Sequence, residues 1–457
     1  MSKIYQIKRK KTFLIMILMY FMIFFCTGIL PVNIENLLNY LPKTTNFGIF
    51  VVSATSMTMS IISILVFGYY SDKISKKMSR KRLFIFTNFI WILSFGLTSI
   101  SINYFYYFFF MIISAIGTGA FVPQAYSMIG DFFSPKDRGK KYSVMQIGLI
   151  LGSGMGIIFG GLFGSYLPSN YSYLGWRIAY AIGFFLGLTS LFLYGFIAIE
   201  PERLRSEPEF EYFNGEIEYN YKITLKNLKE IFKKKSIGAI LISVLCGGIA
   251  NSTLGVWAIY YLSTKIEGSE ALFIATTLFI LAGSGALPGN IIGGRIGDKY
   301  YKSGKVKGRV VVSFGGLIFG ISLQILFYMV PFFTKSIIQI IFSWAFFIIV
   351  GYFGFLFVGF STGNQFAIYS EVALPEVRST VNAMNGLMVN IGGIIGSFLI
   401  GFMIENNLTL LPLAVLIVLL IWFLGTFFWI IPYYYYPREL KDCREILLER
   451  RNELESK

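Results

Sequence analysis

FGYYSDKISKKMSRKR, residues 67–82, stands between two runs of about twenty mostly apolar residues. Six basic residues, Lys73, Lys76, Lys77, Arg80, Lys81 and Arg82, crowd around one acid, Asp72. The whole chain of 457 residues is 55% hydrophobic and only 14% charged, so such a concentration of charge has a physical cause. Soluble proteins carry about a quarter charged residues. This composition implies a bilayer as solvent, and a charged break between apolar runs is then a loop between membrane spans.

Reading outward from that loop, twelve apolar runs are long enough to span. The first six cover 12–34, 47–70, 83–102, 104–130, 142–166 and 177–199. The second six cover 237–262, 271–292, 310–330, 336–368, 379–403 and 410–432. Run ten carries Gly351, Gly354, Gly359 and Gly363, where a bend is expected. An even count puts both termini on one side. With the N-terminus cytoplasmic, all of the 40 Lys and Arg fall inside except Lys43, Arg177, Lys265 and Lys335, as the positive-inside rule requires. The basic N-terminus followed by an apolar run imitates a signal peptide, but no small-residue cleavage site precedes Pro31, so a retained first span is expected.

The net charge of +16 would suit nucleic acid if it formed one face of a soluble domain. Scattered between apolar runs, it does not, and no nucleic-acid partner is expected. The three cysteines, Cys26, Cys246 and Cys443, offer neither a disulfide framework nor metal spacing. Without any histidine the commonest metal ligand and general base are missing. GSGMG at 152–156 is a packing stripe rather than a nucleotide loop. Neither an enzyme, a cofactor nor a metal site is expected.

The longest interruption divides the chain into a first six-span bundle (1–199), a linker (200–236), a second bundle (237–435) and a cytoplasmic tail (436–457). In the linker, Ile223, Leu225, Leu228, Ile231 and Phe232 approach helical spacing among lysines. That pattern fits an amphipathic helix on the membrane surface or an ordinary solvated linker helix.

The two halves repeat local devices. Gly68-Tyr-Tyr-Ser-Asp72-Lys73 after span two matches Gly294-Arg-Ile-Gly-Asp298-Lys299 after span eight, each followed by a basic run. Arg138 and Arg378 open spans five and eleven. Gly148, Gly152, Gly156, Gly160 and Gly164 recur every four residues in span five; span eleven has Gly386, Gly392, Gly393, Gly396 and Gly401. Small residues so spaced let helices approach closely, and paired repeats are a transporter architecture.

On these motifs the chain resembles the major facilitator superfamily along all twelve spans, although its loop signature has Ser75 where the second glycine usually stands. GWRIAYAIGFFLGL, GVWAIYYL around Trp257, GALPGNIIGGRIGDK and ALPEVRSTVNAMNG resemble the spinster-like subgroup, whose substrates are lysolipid-like or sphingoid. The resemblance implies an all-α fold of two six-helix bundles. It also implies a secondary transporter working by alternating access, an integral protein of the cell membrane, acting as a monomer.

Topology alone would account for the basic residues of 67–82 but not for Asp72 or its repeat. A carboxylate at the inner end of span two can accept hydrogen bonds from a neighbouring helix N-terminus. By the resemblance that neighbour is span eleven, near Arg378; Asp298 would engage span five, near Arg138. Asp131, closing span four, joins the first latch. The expected cytoplasmic gate is therefore Gly68, Asp72, Lys73, Asp131, Arg138, Gly294, Asp298 and Arg378.

The resemblance places spans one, four, seven and ten around a central cavity, with two, five, eight and eleven beside them. Candidate substrate contacts are Thr27, Asn33, Thr118, Gln124, Gln146, Asn251, Trp257, Tyr260, Asn364, Gln365, Asn385 and Asn390. Each could equally bond a neighbouring helix; for Asn251, Asn364 and Gln365 the cavity is favoured. No span carries an ionisable residue in its middle, where one costs about 3 kcal/mol. The spinster-like pattern has charges in spans one and four, and this chain has Met111 and Thr118 where the span-four pair would stand. Arginine or lysine to hold a phosphate or dicarboxylate is missing. A neutral, zwitterionic or amphipathic solute is expected, with Glu35 the one candidate proton site. Gly156 is followed by Ile157 rather than the proline common in drug–proton antiporters. The alternative is a receptor or scaffold with a transporter fold.

Overall fold

The computed structural model describes residues 3–44, 46–73, 79–166, 174–202, 231, 233–266, 271–333, 336–404 and 408–455, and among them the chain is helical without a strand. In order the helices are α1 (Lys3–Val32), α2 (Ile34–Tyr40), α3 (Asn46–Lys73), α4 (Arg80–Ser99), α5 (Tyr104–Phe132), α6 (Pro135–Tyr166) and α7 (Gly175–Ile197). There follow α8 (Lys235–Ser263), α9 (Ala271–Gly283), α10 (Ala286–Lys302), α11 (Gly308–Met329), α12 (Ile337–Val372), α13 (Arg378–Ile404), α14 (Leu411–Thr426) and α15 (Ile430–Glu455). Among the described residues eleven helices are long and apolar enough to cross a bilayer, and Thr55–Tyr70 is a shorter apolar stretch. The protein is a multi-pass integral membrane protein.

Side chains just outside the helices start them. Ser79 accepts from the Arg82 N–H at 3.2 Å, Asn103 from the Tyr106 N–H at 3.0 Å and Ser336 from the Gln339 N–H at 3.2 Å, each satisfying a donor the helix itself leaves open. One run differs from expectation. Span eight is not one helix: it breaks at Ser284-Gly285, because Gly283 and Gly285 are poor helix formers. Span ten is a single helix, α12, that runs 36 residues through its glycines. Those glycines admit neighbours, Gly359 lying so close to α10 that a Cβ would sit 2.8 Å from the Asn290 nitrogen. In the linker, Ile231 is buried, while Ile223, Leu225, Leu228 and Phe232 lie outside the described residues.

The chain groups into two compact units. Unit 1 is Met1–Phe133, Val144–Thr224 and Pro375–Gly386; unit 2 is Ser134–Ser143, Leu225–Leu374 and Leu387–Lys457. In unit 1 the span-five glycines Gly148, Gly152 and Gly156 meet Ile17, Phe21 and Phe25 of α1; a Cβ on Gly148 would lie 2.9 Å from the Ile17 carbonyl oxygen. In unit 2, Gly392 and Gly396 of α13 face Leu245 and Ile249 of α8 in the same manner, and a Cβ on Gly248 would lie 2.7 Å from the Val389 carbonyl oxygen. A side chain at these places would prise the helices apart.

Two of the four cations outside the basic clusters have a local task. Arg177 lies over the Trp176 ring (4.5 Å) and donates to the Ser99 carbonyl at 3.3 Å, at the end of α4. Lys265 lies over Tyr261 (4.8 Å) and donates to the carbonyls of Tyr328 and Val330 (2.9 Å to the latter), at the end of α11. Each neutralises the negative end of a helix whose last carbonyls lack partners.

Candidate functional site

Each unit holds a buried charged cluster. In unit 1, Asp131 in the last turn of α5 gathers two arginines, each at the first residue of a helix. Arg80 of α4 reaches one carboxylate oxygen at 2.6 Å and Arg378 of α13 reaches the other at 3.0 Å. All three side chains are buried. The remaining donors of Arg80 go to the segment after α7: Nη2 to the Pro201 carbonyl at 2.7 Å, with Nε 3.6 Å from the Glu200 carboxylate. Glu200 also accepts from the backbone N–H groups of Arg80 (3.0 Å) and Lys81 (3.4 Å), so it caps α4 as well as pairing with its first side chain. Ser379 holds the start of α13 by donating to the Pro123 carbonyl at 3.1 Å.

In unit 2 the hub is a cation. Arg309, second residue of α11 and wholly buried, reaches Asp298 at 2.8 Å and Glu371 at 3.2 Å. It also donates to the Pro135 carbonyl at 2.6 Å and lies over the Tyr301 ring at 4.8 Å. Asp298 accepts from the backbone N–H groups of Gly139 (3.1 Å) and Lys140 (2.9 Å), one on each oxygen, near the start of α6. Arg138, also buried, acts electrostatically on Glu371. Tyr436 of α15 donates to the other Glu371 oxygen.

The elements correspond. Span three and span nine each contribute an opening arginine, spans four and ten each a closing acid (Asp131, Glu371), and spans eleven and five each a second arginine (Arg378, Arg138). Every one of these charges stands at the helix end its dipole disfavours, cations at N-termini and acids at C-termini. Only their mutual pairing makes the placement tolerable, and removing one partner of such a buried set costs about 3–5 kcal/mol.

Glycines let the chains meet here. A Cβ on Gly68 would lie 2.5 Å from Ala383 Cβ; one on Gly294 would lie 2.7 Å from the Gly139 carbonyl oxygen and would also strike Ser143 Oγ. Gly139 has no room either, a Cβ there meeting Arg309 at 2.6 Å and Asp298 at 2.8 Å. Asp72 and Lys73 fall in the last turn of α3, but their side chains lie outside the described residues, as does that of Glu35.

The expected cavity residues do not form one constellation within either unit. Asn33 is enclosed, donating to the Ile29 and Gly160 carbonyls, both at 3.0 Å, and accepting from Asn36. Thr118 bonds the Ala115 carbonyl at 3.4 Å, and Gln146 donates to the Tyr126 hydroxyl. Gln124 is buried, donating to Thr87 at 3.3 Å while its Oε1 accepts no hydrogen bond among the described atoms. Asn385 is buried, Gln365 and Asn390 are half-buried, and all three have partners within the protein. Asn364 corrects its assignment to a cavity. It is wholly enclosed, donates to the Gly293 and Phe360 carbonyls at 3.0 Å each, and accepts from Arg309 at 3.4 Å, so it steadies the unit-2 hub. Thr27 and Asn251 remain exposed, with local bonds to Phe24 (3.2 Å) and Gly247 (2.8 Å). The side chains of Trp257 and Tyr260 lie outside the described residues.

Sequence reasoning missed Arg80, Glu200, Arg309, Glu371 and Tyr436 as members of these clusters. The signal was present in the pairing of an arginine opening spans three and nine with an acid closing spans four and ten. It was masked because Arg80 and Arg309 belong to basic runs that topology already explains.

A multi-span helical protein whose two units carry corresponding charged clusters has the build of a membrane transporter. The chain belongs to the Major Facilitator Superfamily, whose sequence pattern matches residues 12–397; members are transporters, not enzymes, and the fold is that family's twelve-helix bundle. Among solved structures it is similar to the XylE sugar symporter (16% identity, 97% of this chain and 99% of that one, TM-score 0.70). It is also similar to the Escherichia coli fucose–proton symporter FucP (14%, 91% and 97%, TM-score 0.66). A bacterial homologue of the human lysosomal transporter Spinster is a further likeness (16%, 97% and 99%, TM-score 0.54). A stretch of 141 residues, 31% of this chain, is 28% identical to multidrug resistance protein 3 of Bacillus subtilis (strain 168) and spans only 25% of that protein.

Proposed function

We propose that this chain is a secondary transporter working by alternating access, whose charged clusters are latches that close its cytoplasmic side and part when that side opens. The observation that carries this reading is the corresponding placement of Arg80–Asp131–Arg378 and Arg309–Glu371–Arg138. Charges put at disfavoured helix ends and rescued only by one another make a contact that is firm when formed and readily exchanged once water enters. The sided distribution of Lys and Arg supports cytoplasmic termini and clusters. A monomer in the cell membrane is the simplest form of this reading.

The proposed cargo is a neutral, zwitterionic or amphipathic solute, lysophospholipid-like or sphingoid among the candidates. Relatives named for sugars, for drugs and as Spinster point to different cargoes. The charge inventory therefore carries the choice: no span has an ionisable residue in its middle to hold a phosphate or dicarboxylate. Thr27, Asn251, Trp257 and Tyr260 are the proposed contacts to test first, and Glu35 the proposed proton site.

The test is uptake into proteoliposomes of labelled lysophospholipids, sphingoid bases, sugars and amino acids, with and without a pH gradient, beside Asp298→Asn. The expected result is uptake of one neutral or zwitterionic class, strongly reduced in the variant. Acceleration by the gradient would send the next experiment to Glu35. Binding without flux for every class would favour a receptor or scaffold instead.

A further inference from the structure

The segments that follow spans six and twelve are treated differently. After span six the carboxylate of Glu200, just before Pro201, braces Arg80. After span twelve the residue just before Pro437 is Tyr436, and the chain continues as α15 without leaving unit 2. Leu440, Cys443 and Leu447, at i, i+3 and i+7, are buried, so one face of this helix is apolar and covered. Polar contacts fasten it along its length. Lys235 lies over the Tyr435 ring at 4.5 Å and Lys307 over Tyr433 at 4.4 Å. Glu439 accepts from the Ser236 N–H at 3.3 Å, and Arg444 donates to the Tyr301 hydroxyl at 2.6 Å.

We infer that α15 is a built-in arm that holds the unit-2 latch closed, with Tyr436 as the positioning residue for Glu371. Among the described residues the Tyr436 phenol makes the one hydrogen bond to this carboxylate. The other Glu371 oxygen accepts none and faces Arg309 at 3.2 Å. Arg444 holds Tyr301, whose ring lies under Arg309. The arm thus touches both the acid and, through Tyr301, the guanidinium, and Arg309 is the group that ties Asp298 and Pro135 together. An undocked α15 leaves a buried carboxylate short of a donor, which draws Arg309 away from Asp298 and loosens the Gly139 and Lys140 N–H groups. Among the described residues α15 touches the unit-2 cluster, so displacement of the tail would act on that latch.

This rests on reading the cluster as a latch, but the coupling is measured without transport. The full chain in lipid nanodiscs carries Cys26→Ala and Cys246→Ala, so that Cys443 is the single thiol. N-ethylmaleimide modification of Cys443 reports docking of α15, and hydrogen exchange of a peptide covering 136–142 reports the latch. Tyr436→Phe is expected to speed both by about tenfold, the loss of one hydrogen bond to a charged group, and to leave the 378–384 peptide of unit 1 unchanged. In a Glu371→Gln background the same substitution is expected to add nothing further. Faster labelling with unchanged 136–142 exchange would overturn the inference, as would equal acceleration in both units or an undiminished effect beside Glu371→Gln. Failure of the uptake test, with this coupling intact, would remove the transport reading and leave the arm.

Discussion

In unit 1 one carboxylate, Asp131, gathers two guanidinium groups; in unit 2 one guanidinium, Arg309, gathers two carboxylates. Among the described residues the helices that supply Arg80, Asp131 and Arg378 correspond to those that supply Arg309, Glu371 and Arg138, yet the described hub has opposite sign. The repeat counterpart of Asp298 is Asp72, whose side chain lies outside the described residues. The consequence of the opposite hubs is unequal dependence. Asp131 keeps a directly paired arginine when either one is lost, whereas loss of Arg309 leaves Asp298 with the Gly139 and Lys140 N–H groups and Glu371 with Tyr436 and the field of Arg138.

Mutation can break that comparison. The largest expected effect is Arg309→Ala, which takes the ion-pair partner from two buried carboxylates at once and should cost about 3–5 kcal/mol of stability. Arg80→Ala, with Arg378 still on Asp131, should cost about 1–3 kcal/mol. Unfolding in detergent, read by tryptophan fluorescence, compares the two; equal losses would remove the asymmetry. Next come the glycines. Gly294→Ala drives a methyl against the Gly139 backbone and should cost more than Gly68→Ala, which meets only the Ala383 methyl. Overpacking of this kind costs about 1–3 kcal/mol, and the ordering is read from melting temperatures.

Lys265 sharpens the picture away from the clusters. Burial against the Tyr328 and Val330 carbonyls lowers its pKa from 10.5 to about 8. Between those values the unfolded chain binds the additional proton, so stability should rise as pH climbs from 8 towards 10.5, and the penalty is full below 8. Partial exposure holds the effect to about 1 kcal/mol per pH unit or less. Lys265→Met should flatten that part of the stability–pH curve; an unchanged slope would contradict it. Smallest of all, the Lys302–Asp137 pair at 2.7 Å is half exposed on both sides, and Lys302→Ala should shift stability by less than about 0.5 kcal/mol.

Much of this was legible in the residues. Apolar run length marked the spans, because a bilayer imposes that length on any helix that crosses it. The four-residue glycine period of α6 and the glycine-rich stretch of α13 marked them as contact helices, because only hydrogen at positions such as Gly152 and Gly392 admits a neighbour's backbone. The repeat of Gly, three residues, Asp and Lys singled out Asp298, and the family resemblance directed it to the start of span five, where it accepts from Gly139 and Lys140. What escaped was whatever depends on which helix ends meet. Arg80 and Arg309 look like ordinary members of basic runs, and nothing in a linear pattern separates a solvated lysine from an enclosed arginine. Asn364 looked like a cavity amide because amides in apolar helices need partners; the partner was Arg309, which is 55 positions away in sequence. The break at Ser284 follows Gly283 and Gly285, whereas α12 stays helical through glycines that α10 packs against, a difference that local glycine content does not separate.

The central claim is that these clusters are latches that part in the folded protein, not permanent cement. Hydrogen exchange of the Gly139 and Lys140 amides, which donate to Asp298, tests it most directly. In nanodiscs they are measured beside amides in the middle of α11 and in the Asp298→Asn variant. The account predicts that these two amides exchange through an opening well below global unfolding, and at least about tenfold faster in Asp298→Asn with α11 unchanged. Exchange only in step with α11, or no acceleration in the variant, would contradict it.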